Sequence, residues 1–171
     1  YKRQVYVEFF RGTPMIVQAM VVYYGSDLLF GIDMNRTFAA ILIVSINTGA
    51  YMAEIVRGGI ISIEQGQFEA ARAIGMNHWQ TMVHVVLPQV LRNILPATGN
   101  QYVMNIKDTS VLNVIGVTEL FFQTKSIAGN NFRYFESFFV ACIIYLVMTI
   151  IVTQILRFFE RRLTGDALSL I

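Results

Sequence analysis

Two short rows of hydrogen-bonding side chains stand out because they lie in apolar surroundings. Asn47, Tyr51 and Glu54 fall at i, i+4 and i+7 of one segment, and Gln101, Asn105 and Asp108 repeat that spacing in another, so each set occupies a single stripe of a helix. Such rows can serve in two ways. Facing each other across a gap, the amides, phenol and carboxylates would make a wet groove for a polar solute; facing neighbouring helices, they would tie a bundle together, as a Glu54–Arg57 pair would near a helix end. Either use answers the same constraint, since a charge at the centre of a bilayer costs roughly 2.5–3.5 kcal/mol or more unless it faces protein or water.

Several kinds of chemistry are missing. No G-x-x-x-x-G-K-[S/T] occurs, so the chain has no P-loop to cradle ATP phosphates and any ATP must be bound by a partner. His78 and His84 are six residues apart, off a common helical face, and no H-E-x-x-H is present, which argues against a metal-hydrolase site. Cys142 is the single cysteine and sits in an apolar run, which rules out an intrachain disulfide. No metal, cofactor or paired catalytic constellation is expected, so a membrane-embedded enzyme is disfavoured.

The elements that must position the polar rows are membrane spans. Hydrophobic residues make up 55% of the 171-residue chain and charged ones only 14%, against soluble averages of roughly 45–50% and about 25%. The net charge of +2 is small and scattered, so a nucleic-acid surface is not expected. One domain, residues 1–171, accommodates four apolar spans: about 13–30, which is the weakest, 37–56, 88–117 and 135–157. Tyr1 to Arg11 reads as an interfacial lead-in that could extend the first span, without the pattern of a signal peptide. Gly25 to Arg36 reads as a loop overlapping the end of that span, and Glu119 to Arg133 as an outer loop. The third span carries Arg92, Asn93, Asn100, Gln101, Asn105, Lys107 and Asp108, so it should line a pathway rather than face lipid all round.

Orientation follows from the basic residues. One side of the four spans holds Lys2, Arg3, Arg11, Arg57, Arg72, Arg92, Arg157, Arg161 and Arg162, the other only Arg36, Lys125 and Arg133; the richer side is cytoplasmic by the positive-inside rule. The loop at about 58–87 therefore faces the cytoplasm. Within it, Phe68 to Ile74 consists of good helix formers and Gly75 stands where a left-handed residue would stop them. Ser62 and Gln65 have the S-x-x-Q spacing of a capping box, placing the helix start just ahead of Gly66.

This loop resembles the E-A-A…G…I-x-L-P signature of bacterial ATP-binding-cassette importer permeases: Glu69-Ala70-Ala71, Gly75 and Leu87-Pro88 stand at its spacing, with Val85 replacing the isoleucine. Phe10 to Pro14, Asn47 to Tyr51, Glu54 to Ile60 and Lys107 to Ser110 are similar to the polar amino-acid subfamily, of the histidine, glutamine and arginine permease type. The resemblance covers nearly the whole chain. It implies an all-helical type I importer bundle in the bacterial cytoplasmic membrane, with five spans in typical members and the first not visible here. It also implies a coupling helix carrying Glu69, Ala70, Ala71, Arg72 and Gly75, docked on a separate ATPase subunit. The further partners it implies are a second permease copy or homologue and an extracytoplasmic amino-acid-binding protein. A self-sufficient channel or secondary carrier for small polar solutes is the alternative, although no inverted repeat is evident.

Overall fold

A computed structural model describes residues 2–164, and no strand occurs among the described residues. Eight α-helices follow in order: α1 Lys2–Gly12, α2 Met15–Phe30, α3 Arg36–Ile61, α4 Gln65–Ala73, α5 His78–Thr81, α6 Leu87–Asp108, α7 Leu120–Asn131 and α8 Tyr134–Thr164. A π-helical turn, Met82–Val86, leads into α6, and a 3-10 segment, Thr109–Ile115, follows it. The expected all-α bundle is what the chain forms.

The long apolar helices are α3 and α8, 26 and 31 residues, each longer than the ~20 residues a span needs. Asn35 fixes the start of α3 by accepting from the Thr37 and Phe38 amides at 2.9 and 3.4 Å. At 22 residues, α6 is also long enough to cross, though it is less apolar than α3 and α8. Pro88 lies in its first turn and has no N–H for the carbonyl of His84, where the wider π turn takes over from the regular ladder. At the other end Gly116, at φ +78°, lets the chain turn out of the 3-10 segment.

Four boundaries differ from the sequence reading. The lead-in to Arg11 is itself helical from Lys2: α1 packs against α3, with the Tyr6 hydroxyl donating to the Ile46 carbonyl at 2.6 Å. Gly25 does not open a loop, because Ser26 bonds back to the Tyr23 carbonyl and the helix continues to Phe30, leaving Gly31 to Asn35 as the connection. Glu119 to Arg133 contains α7, which the Glu119 carboxylate starts by accepting from the Phe121 and Phe122 amides, each at 2.7 Å. The Ser62–Gln65 capping box is absent. Glu64 is the N-cap, without a side-chain bond; Ser62 donates to the Gly59 carbonyl, and Gln65 reaches Glu69 instead.

Two apolar clusters hold the ends of the bundle. Ala19, Ala39, Ala40, Ile43, Leu112 and Ile115 join α2, α3 and the 3-10 segment; Ile63, Val86 and Val90, with Phe68 and Ile94 against them, seat α4 on the root of α6. Between them α3 and α6 run antiparallel in close contact. A Cβ on Gly59 would collide with Ile94 Cγ2 and stand 3.2 Å from Val90 Cγ1, so only glycine allows this approach. Gly59→Ala is expected to destabilise by about 1–3 kcal/mol through overpacking. Pairing it with Ile94→Ala should recover most of that loss, because the two residues compete for one volume. Thermal inactivation midpoints of the two single variants and the double variant check it; strictly additive losses would show that the seam does not depend on this contact.

Candidate functional site

The polar rows come together around an interruption. α1 ends at Gly12 and α2 starts at Met15 after Thr13 and Pro14, and a proline there leaves carbonyls of the preceding turn without their helical N–H donors. Side chains supply the donors. The Gln18 amide nitrogen lies 2.9 Å from the Phe10 carbonyl, 2.9 Å from the Thr13 carbonyl and 2.8 Å from Thr13 Oγ1, while Thr13 itself donates to the Phe9 carbonyl at 2.8 Å. Asn47, on α3, donates to Gln18 Oε1 at 3.1 Å and to the Phe10 carbonyl at 3.3 Å. Gln18 and Asn47 are both buried.

The break opens a cleft of about 430 Å³ whose wall includes Arg11, Thr13, Asn47, Tyr51 and Asp108. The Arg11 guanidinium sits over the Tyr51 ring, 5.4 Å from its centroid. A cation, a phenol, an amide and a carboxylate thus border one cleft. That combination can accommodate both ends of a zwitterion, the carboxylate by Arg11 and the ammonium by Asp108. Lys107 neighbours Asp108 in sequence but is absent from this wall, as expected of adjacent helical positions.

The other three sequence candidates lie elsewhere. Gln101 donates to Asn105 at 3.0 Å and Asn105 to Thr48 at 2.9 Å, a relay that binds α6 to α3. Glu54 is ion-paired with Arg57 and lines a neighbouring cleft of about 480 Å³ together with Arg3, Gln4, Glu8 and Arg11. Arg11 borders both spaces. The stripes therefore divide: Asn47, Tyr51 and Asp108 share the cleft, Gln101 and Asn105 fasten helices, and Glu54 belongs to the adjoining charged cleft. Sequence reasoning missed Gln18, Thr48 and Arg11. Arg11 was counted with the basic flank, yet α1 carries it beside Tyr51; its neighbour Pro14 was the available signal that the helix breaks at that point.

The coupling segment is a second surface. α4 begins at Gln65 and stops as expected, with Gly75 at φ +84° and its N–H bonded to the Arg72 carbonyl at 2.9 Å. Ala71 is buried, whereas Glu69, Ala70, Arg72 and Gly75 are exposed, so α4 presents one face to the bundle and the other outward. Asn77 and Gln80 form a reciprocal capping box for α5. His78 and His84 are both exposed, and no cluster of three metal-ligating side chains occurs among the described residues.

The family of binding-protein-dependent transport system inner membrane components matches residues 4–165. This chain belongs to it. The chain is accordingly a multi-pass protein of the bacterial inner membrane, and the family resemblance read from its motifs holds. It is 42% identical over 160 residues to the glutamine transport system permease protein GlnP of Escherichia coli, covering 93% of this chain and 73% of that one. It is 36% identical over 161 residues to the arginine transport system permease protein ArtQ of Bacillus subtilis, covering 94% and 74%. Among solved structures, a crystal structure of an amino acid ABC transporter with histidines superimposes with a TM-score of 0.87 at 40% identity, covering 93% of this chain and 74% of that one. The MetNI methionine ABC transporter shares the fold, with a TM-score of 0.79 at 18% identity over 95% of this chain and 74% of that one.

The Gln18 knot gives a direct test. Gln18→Leu leaves the Thr13 carbonyl without its donor, the Phe10 carbonyl with only the 3.3 Å Asn47 bond and the Asn47 amide without its Oε1 acceptor, at about 1–3 kcal/mol for each unsatisfied group. The melting midpoint of the purified protein should fall well below that of Gln67→Leu, a change at an exposed glutamine of α4. Equal midpoints would mean that the break is satisfied by other groups.

Proposed function

We propose that this chain is the permease subunit of an ATP-driven importer of a polar amino acid, and that solute passes through the cleft at the α1–α2 break. The observation that carries this reading is the convergence of Arg11, Asn47, Tyr51 and Asp108 on one open cleft. Relatives named for glutamine and arginine transport support the substrate class. In this scheme an extracytoplasmic amino-acid-binding protein delivers the solute and sets most of the selectivity. A second permease copy or homologue completes the pathway. ATP is bound by a separate ATPase subunit and not by this chain.

Coupling runs through the loop at 58–87. The outward face of α4, with Glu69, Ala70, Arg72 and Gly75, docks in a groove of the ATPase, while buried Ala71 holds the helix to its own bundle. Gly75→Ala puts a side chain at positive φ, a conformation L residues rarely adopt, and tilts the end of the docking helix. Uptake should then fail at unchanged membrane abundance. Wild-type uptake by Gly75→Ala and by Glu69→Lys would reject the coupling role.

The passage is tested separately at Asp108. Asp108→Asn removes the anionic side of the cleft, so uptake should fall at least about tenfold, the effect of roughly 1.4 kcal/mol. Basal ATP hydrolysis by the assembled complex should stay near wild type, because α4 and its seat are untouched. Uptake and hydrolysis measured on one reconstituted sample decide it; a parallel fall in both, with less complex recovered, would make Asp108 a structural residue.

A further inference from the structure

α7 and the first half of α8 form a helical hairpin with a groove of about 330 Å³ between them. Its floor and sides are largely apolar, with Leu120, Ile127, Val140, Ala141 and Ile144 along it. The mouth is polar. Asn131, Arg133 and Glu136 stand there, and neither Arg133 nor Glu136 has an ion-pair or side-chain hydrogen-bond partner among the described residues. Around the mouth Phe132, Tyr134 and Phe135 are 82%, 54% and 79% exposed, the aromatic collar of a headgroup boundary. Beyond it α8 is exposed and apolar, with only 6% of its span buried.

Three magnitudes limit what fits. From Arg133 to Ile144 the helix rises about 16 Å at 1.5 Å per residue, close to the ~15 Å of one leaflet of hydrocarbon. Leu120 and Ile144 line the inner end, next in sequence to Glu119 and Tyr145, whose hydroxyl donates to the Glu119 carboxylate at 3.0 Å. One turn of helix with its side chains fills roughly 400–600 Å³, more than the groove holds. An extended alkyl chain fits lengthwise in such a groove, whereas a helix would lay only side chains into it. The two unpaired charges at the mouth are of opposite sign, so they match a headgroup carrying both a phosphate and an ammonium.

We propose that this groove is a binding site for phosphatidylethanolamine, in the leaflet away from α4: one acyl chain lies between α7 and α8, the phosphate meets Arg133, and the ammonium meets Glu136. The amine selects this lipid over phosphatidylglycerol, which has the phosphate but only neutral hydroxyls for Glu136. Bound there, the lipid fills the hairpin and holds α7 against α8.

The test uses the assembled complex in nanodiscs doped with phosphatidylethanolamine bearing a diazirine in one acyl chain. Photolabelling should concentrate on peptides containing Ile127, Val140 and Ile144, and unlabelled phosphatidylethanolamine should compete about three- to fivefold better than phosphatidylglycerol, as one exposed ion pair allows. Glu136→Gln should erase that preference while labelling persists, and Ala141→Phe should fill the groove and abolish labelling. If Ala141→Phe lowers recovery of the complex, the Glu136→Gln competition decides alone. Labelling spread evenly to Leu146, Ile150 and Ile155 would overturn the proposal, as would equal competition by the two lipids in wild type. Groove residues reached only after the complex is dissociated would give the face to a protein neighbour and likewise overturn it.

Discussion

Inside a bilayer every backbone N–H and C=O must find its partner within the protein, because no water is present to take its place. The chain breaks a helix at Gly12 to Pro14 and then meets this demand with side chains: Gln18 serves the carbonyls of Phe10 and Thr13, and Asn47 holds Gln18 from the neighbouring helix. Much else depends on that arrangement. The break turns Arg11 toward Tyr51, opens the space beside Asp108, and brings α1 against α3 where the Tyr6 hydroxyl can reach Ile46. An unbroken helix would satisfy its own backbone at no cost in side chains, and it would leave no polar space.

The parts of the fold legible in the sequence were those governed by a single local rule. α3 and α8 follow from length and apolarity, and the end of α4 follows from Gly75, whose positive φ a glycine readily adopts. α7 was read as loop because Leu120 to Asn131 mixes apolar, polar and glycine residues. Its start depends on the Glu119 carboxylate capping two amides, a signal carried by one residue ahead of the helix. The Ser62–Gln65 spacing had the right letters but the wrong place, since Ser62 still lies against the last turn of α3 and bonds to Gly59.

The candidate site was legible as a set of residue types and not as an arrangement. Helical periodicity grouped Asn47 with Tyr51 and Glu54, and Gln101 with Asn105 and Asp108, but periodicity says nothing about which neighbour a stripe meets. Thr48 is one position from Asn47 and turns the Asn105 amide into a strut. Arg57 takes Glu54. Arg11 could not be assigned without knowing that α1 crosses α3, a tertiary fact with no counterpart in local spacing.

The contacts between α3 and α6 have a mechanical consequence. They are joined at Thr48–Asn105, at Gly59–Ile94 and, just past the end of α3, at Ser62–Asn93, where the asparagine donates at 3.1 Å, so the contacts span about 20 Å of helix. Two rods fixed at three such points cannot slide or scissor independently, so α3 and α6 behave as one lever. Tyr51 and Asp108 ride on that lever, and so does the seat of α4 through Ile63, Val86 and Val90. Arg11 and Thr13 belong to α1 and the break that follows it, held to α3 by the Tyr6–Ile46 bond, the Asn47 bonds and the α2–α3 apolar cluster. Force applied at α4 therefore has a rigid path to the wall of the cleft that carries Tyr51 and Asp108.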